Sequence, residues 1–191
     1  TIPQPGAGPL IANANDLYGA RVNGYVEKPV TQAQTTMIQT FTNVIGAQNL
    51  VVISEAGVVH VGDLEPEEEI KYGRPATFGS GVAGVALACK NAKMKSDYCT
   101  LDGYTTELSW GYRIKSILNY NDVIGGINMS PGLLLKHDVS GYSNAPGGAF
   151  SEGQKAVTLS LGMDYQGTYK AKVSYTDFFD GDYSVKSDRD F

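Results

Sequence analysis

The sequence predicts an all-β protein, an antiparallel transmembrane β-barrel, on three observations. Long runs alternate apolar and polar residues with a period of two, short and long connections alternate between them, and aromatic residues gather at both ends of the runs. Composition agrees. The 191 residues include 23 glycines, and 12 tyrosines against 6 phenylalanines. Turns and amphipathic rim positions of a sheet use those residues, whereas a helical bundle favours Ala, Leu, Glu and Lys.

Residues 1–30 are rich in Pro, Gly and Asn and read as a loop with a strand approach. From residue 31 to 191 the chain reads as barrel strands and their connections. The run 31–44 alternates weakly, with Ala33, Met37 and Phe41 on one side and Gln32, Gln34 and Thr40 on the other. The run 50–61 is apolar on both sides apart from Ser54, Glu55 and His60; its pattern places Glu55 inward and Leu50, Val52, Ala56 and Val58 outward.

The clearest run is 104–121. Tyr104, Leu108, Trp110, Tyr112, Ile114, Leu118 and Tyr120 share one parity, while Glu107, Ser109, Arg113, Lys115 and Asn119 share the other. A helix would group apolar residues three and four apart. The run also exceeds the roughly five or six residues of an ordinary strand and the ~10 of a tilted bilayer crossing. Runs 127–137, 155–166 and 168–178 repeat the design, with Leu133 and Leu135, then Leu159 and Leu161, then Val173 and Tyr175 on their apolar sides.

The connections at 45–49, 121–126 and 166–167 are short, and those at 62–103, 138–153 and 180–188 are long. In an outer-membrane barrel the short turns face the periplasm and the long loops face outside. Tyr120, Tyr165 and Tyr169 then form one aromatic girdle; Tyr104 and Tyr175, near the long loops, form part of the other. The lumen-facing charges, the candidate conduit, are Glu55, Glu107, Arg113, Lys115, Lys136, Asp138, Asp164, Lys170 and Lys172. Their mixed signs suit a wet interior better than a single-sign selectivity filter. Pairing across strands that stiffens the interior is the competing reading.

Cys89 and Cys99 lie in one polar segment of the long loop. A disulfide between them is expected and would mark an oxidising compartment; two free thiols are the alternative. A net charge of −5 and the lack of a basic run disfavour a nucleic-acid partner. The acidic loop patches lack metal-ligand spacing and read as solvated charge. No metal site or cofactor is expected. Catalytic residues are not expected either: His60 and His137 accompany no nucleophile motif, and neighbouring strand residues such as His137 and Asp138 point to opposite faces.

An ordered series of motifs carries a resemblance. Ser109-Trp110-Gly111-Tyr112-Arg113, Leu118-Asn119-Tyr120-Asn121 and Ile127-Asn128-Met129-Ser130-Pro131 come first. They are followed by His137-Asp138-Val139-Ser140-Gly141, Glu152-Gly153-Gln154-Lys155-Ala156 and Ser174-Tyr175-Thr176-Asp177-Phe178-Phe179, ending in Ser187-Asp188-Arg189-Asp190-Phe191. The chain resembles the C-terminal region of the proteobacterial family called domain of unknown function 1302 (DUF1302).

The resemblance implies a barrel of the Gram-negative outer membrane, with the chain as the C-terminal arc of a larger wall whose final strand is missing. It implies the outer-membrane component of a trans-envelope transport system for lipids or other hydrophobic compounds. Its partners would be outer-membrane lipid or lipopolysaccharide, a periplasmic protein of the domain of unknown function 1329 family, and an inner-membrane transporter of the resistance-nodulation-division type. A plugged docking barrel and a porin-like channel are the alternatives, and an outer-membrane hydrolase relying on His137 is the enzymatic one.

Overall fold

The structure, a computed structural model, describes residues 4–5, 27–66, 70–73, 102–143 and 148–183. Cys89 and Cys99 lie outside the described residues. Eight strands follow in chain order: β1 (Gln4–Pro5), β2 (Val30–Val44), β3 (Ala47–Val61), β4 (Ile70–Lys71), β5 (Leu108–Ile124), β6 (Ile127–Ser140), β7 (Lys155–Tyr165) and β8 (Tyr169–Phe179). The two short strands pair with each other. The six long ones form a single antiparallel sheet in the order β2-β3-β5-β6-β7-β8.

Strict alternation dictates this result. Side chains of a strand alternate between faces, so a period-two pattern sorts itself only when every neighbour keeps register. Register is kept. One cross-strand row runs Gln39, Val52, Ser116, Leu133, Leu159, Tyr175. A row three residues away, on the opposite face, runs Thr36, Glu55, Arg113, Lys136, Ala156, Phe178. The sheet therefore has one apolar and one polar face.

Three tight turns join β2 to β3, β5 to β6 and β7 to β8. Ile45-Gly46, Gly125-Gly126 and Gln166-Gly167 all adopt positive φ. That geometry matches the twist of a hairpin and suits Gly. Ile45 and Gln166 are the exceptions, at φ 54° and 50°, and Ile45 is β-branched as well. The last turn spans three residues, 166–168, rather than two, since Tyr165 pairs with Tyr169.

The sheet corrects the expectation of a transmembrane β-barrel. Among the described strands, β2 and β8 each pair on one side only, so the sheet is open. In water or lipid, an open edge leaves about half of its strand's backbone groups without a sheet partner. The trans-envelope transport, docking-barrel and porin readings rested on a closed wall, and the open sheet removes that basis. No helix among the described residues is long and apolar enough to cross a membrane, which leaves crossing by strands unaddressed.

Two further expectations are corrected by the position of the packed core. Buried side chains concentrate at the long-loop end of the polar face: Val59, Val61, Thr105, Ser109, Asp138, Ser143, Gln154 and Tyr183. Tyr104 belongs to this core, 2% exposed, with the Lys71 ammonium 4.9 Å from its ring centroid, and so contributes to no outward girdle. For the same reason β5 begins at Leu108 rather than at residue 104. Glu107 precedes the strand and meets His60 at 3.2 Å.

Candidate functional site on the polar face

The polar face is not uniform. Near the long-loop end one of its cross-strand rows reads Gln34, Gly57, Gly111, Asp138. Two adjacent glycines leave a bare strip of backbone in the sheet. Such a strip is a place where another group approaches closely. Here that group is Phe150, from the connection between β6 and β7. A Cβ added at Gly57 would lie 3.3 Å from the Phe150 ring, and one at Gly111 would lie 2.9 Å from it.

Hydrogen bonds turn the connection inward. Tyr142 bridges to Ser151, and the Ser143 amide donates to the Phe150 carbonyl at 3.0 Å. The Ser143 hydroxyl accepts from the Phe150 amide at 3.0 Å and pairs with the Ser109 hydroxyl at 2.9 Å. The Gly141 amide donates to the Glu152 carboxylate at 2.7 Å. Gly141 itself has φ +80°, and a Cβ there would meet the Leu108 carbonyl at 2.1 Å, so no other residue fits.

Asp138 is the anchor. A bulge between β5 and β6 skips Val139, because Gly111 pairs with Asp138 while Trp110 pairs with Ser140. Bulges re-aim side chains next to them. The Asp138 carboxylate is 2% exposed; its Oδ2 accepts from the Lys136 ammonium at 2.8 Å and from the Ser151 amide at 3.2 Å. Its backbone amide donates to the Gln154 carbonyl and its carbonyl accepts from the Gly153 amide, each at 2.9 Å. Among the described residues its Oδ1 accepts no bond.

The charges beside this anchor resolve a conflict. Arg113 and Lys136 are direct cross-strand partners, an arrangement that repels. Each turns away, Lys136 to Asp138 and Arg113 towards Glu55, whose Oε1 lies 3.9 Å from Nη1. Between them lies a cavity of about 170 Å³ lined by Gln34, Glu55, Gly57, Arg113, Asp138 and Phe150 among others.

The remaining sequence-nominated charges sit elsewhere on the same face. Asp164 and Lys170 are cross-strand partners with their charged atoms 3.5 Å apart, near the β7–β8 turn. Lys172 lies opposite Gly162, and Lys115 lies opposite Ile53 and Leu134. The structure thus brings Glu55, Arg113, Lys136 and Asp138 together and leaves Lys115, Asp164, Lys170 and Lys172 apart from them. Of the aromatic positions, Tyr120, Tyr165 and Tyr169 lie by the tight turns, with the Tyr120 hydroxyl donating to the Ile45 carbonyl at 3.1 Å. Tyr175 is exposed on the apolar face.

Sequence reasoning overlooked Phe150, Gln34 and the glycine strip. Gly57 and Gly111 stand at strand positions of polar-face parity, a signal of close approach that was available. Also overlooked was a second cluster at the rim. Lys28 meets Glu65 at 2.6 Å and donates to the Asp63 carbonyl, and the Tyr72 hydroxyl donates to Glu65 at 2.7 Å. Hydrogen bonds from Lys28 and Tyr72 hold the Glu65 carboxyl down at about 2. Burial, then the Glu65 charge, pushes the Tyr72 phenol up to about 12. Burial also raises Tyr142.

The family model described as protein of unknown function (DUF1302) matches residues 3–191. Comparison with curated proteins and with solved structures gave no match.

Proposed function

The chain belongs to the DUF1302 family, and from that premise we propose that its open sheet is a non-catalytic element at the Gram-negative outer membrane. The apolar face rests against lipid and the polar face borders an aqueous space. The family is associated with outer-membrane proteins. The observation that carries the reading is the apolar face itself. It leaves Met37, Phe41, Leu108, Trp110, Leu159, Val173 and Tyr175 between 39% and 67% exposed, alongside Leu133, Leu135 and Leu161. Side chains of this size and exposure add up to a patch on the order of 1,000 Å², against ~300–600 Å² for the largest patch on a typical soluble monomer. At ~25 cal/mol per Å², leaving such a patch in water costs tens of kcal/mol, which an apolar environment removes.

Trp110 is the sole tryptophan of the chain and projects from this face, so its fluorescence reports the environment directly. In vesicles of phosphatidylethanolamine and phosphatidylglycerol, lipids brominated on the acyl chain should quench more than about half of the emission, because the ring would touch the chains. Unquenched emission at the wavelength of a water-exposed indole, from protein that floats with the vesicles, would overturn the proposal.

A further inference from the structure

We propose that the cavity under Phe150 is a binding seat for a small zwitterion, a molecule carrying a carboxylate and an ammonium group a few bonds apart. The inference concerns the polar face and does not depend on what covers the apolar one.

Two charged side chains at the cavity leave hydrogen-bonding capacity unspent on each other. Arg113 and Glu55 face each other at 3.9 Å, beyond hydrogen-bond range, with side chains 50% and 36% exposed. A guanidinium offers five donors in a planar fork, and a carboxylate about four acceptor positions. Neither group uses that capacity on the other at this separation. Both border the same cavity, as does the Gln34 side-chain amide.

Charge then selects the ligand class. Asp138 is engaged by Lys136 and the Ser151 amide, so that pair is internally neutralised. Among its described lining residues the cavity is left with one positive group, Arg113, and one negative group, Glu55. A lone anion drawn to Arg113 meets Glu55, and a lone cation drawn to Glu55 meets Arg113. Only a ligand bearing both charges gains from both without a like-charge penalty. Its carboxylate matches the fork of Arg113. Its ammonium lies between the Glu55 carboxylate and the Phe150 ring, and an aromatic ring attracts a cation placed over its face.

Size sets a further limit. About 170 Å³ is the room of roughly six water molecules at ~30 Å³ each, the scale of an amino-acid-sized molecule. Half-exposed charges contribute modestly, so the expected Kd is about 1–10 mM.

Glycine betaine is a suitable probe, because its quaternary ammonium reports through its methyl protons. Acetate and tetramethylammonium carry its two charges separately. With the full chain in detergent micelles, saturation-transfer NMR should show glycine betaine binding at least about fivefold tighter than either single-charge probe. Arg113→Gln and Glu55→Gln should each abolish that preference, and Phe150→Leu should weaken betaine binding while leaving the acetate signal unchanged. Trp110 emission, on the other face, verifies that each variant is folded. Should a variant unfold, the wild-type ranking of the three probes still decides the matter. Equal binding of all three probes, tighter binding of acetate or tetramethylammonium, or no transfer to any of them would overturn the proposal. Failure here leaves the lipid-quenching result untouched, so the two readings fall separately.

Discussion

The two ends of the sheet carry the same alternation and differ in what lies over it. At the tight-turn end no described connection lies over the polar face, and its Asp164–Lys170 pair is 30% and 73% exposed. At the long-loop end the β6–β7 connection covers the same face, and Lys136 and Asp138 are 17% and 2% exposed. The strand pattern is shared, so it cannot be the source of the difference. Coverage comes from the connection, and coverage changes what each interaction is worth. An ion pair in water contributes little because solvent already screens it, whereas breaking a buried one strands a charge.

The strongest way to break this contrast is to add one methyl group at each end. Gly111→Ala places a Cβ 2.6 Å from the His137 carbonyl oxygen and 2.9 Å from Phe150. Backbone on one side and a packed ring on the other cannot both yield. Destabilisation of at least ~3 kcal/mol, or failure to fold, is expected from overpacking. Gly162→Ala at the other end meets nothing nearer than 3.6 Å. It should change stability by less than ~1 kcal/mol, the ordinary scale of glycine effects in strands. Denaturant unfolding of the two variants in the same detergent measures both, and equal losses would show that the connection does not pack as described.

Charge removal sharpens the comparison at a smaller scale. Among the described residues Asp138→Ala leaves Lys136 with only the Gln154 side-chain oxygen Oε1, at 3.4 Å, and deprives the Ser151 amide of its acceptor. A loss of ~3 kcal/mol is expected, the lower end for breaking a buried pair. Asp164→Asn keeps an oxygen for the Gly167 amide, now 2.8 Å from Oδ1, and removes only the exposed pair. Its effect should stay below ~0.5 kcal/mol. The same unfolding curves decide, and a large Asp164→Asn effect would mean the turn end is covered too.

The smallest effect is a pH dependence confined to the rim of the covered end. Glu65 is held at about 2 against an ordinary 4.5. A depressed carboxyl stabilises the fold above its unfolded value and loses that contribution as pH falls towards the folded one. The Lys28–Glu65–Tyr72 contacts should therefore be intact above pH 4.5 and loosen progressively towards pH 2. Tyr72, raised from 10.0 to about 12, works in the opposite sense: its contribution is complete below pH 10.0 and fades towards pH 12. Protection of the amides at residues 63–65 and 70–73, taken relative to the intrinsic exchange rate at each pH, should fall at both extremes. Glu65→Gln should remove the acid limb and, because Glu65 also raises Tyr72, narrow the alkaline one; an unchanged acid limb in that variant would assign it to another group.

How much of this was legible in the sequence depends on distance along the chain. All six long strands were, with ends displaced by no more than four residues, because alternation over more than ten residues is a local property. The sorting of Glu55, Arg113, Lys136 and Asp138 onto one face was legible for the same reason. Partner choice was not. Arg113 and Lys136 stand directly opposite because of the register between β5 and β6, which alternation within one strand does not fix. Phe150 was invisible because its destination, Gly57 and Gly111, lies 93 and 39 residues away in sequence.

By itself, then, the sequence determined the strands, their lengths and the division into an apolar and a polar face, since side-chain period is fixed by backbone geometry residue by residue. The tertiary structure alone decided that the sheet of described strands stays open, that Tyr104 packs inside rather than on a rim, and that one connection folds inward to build a cavity. Each of those depends on which distant segments meet, and no periodicity encodes a meeting of segments that far apart.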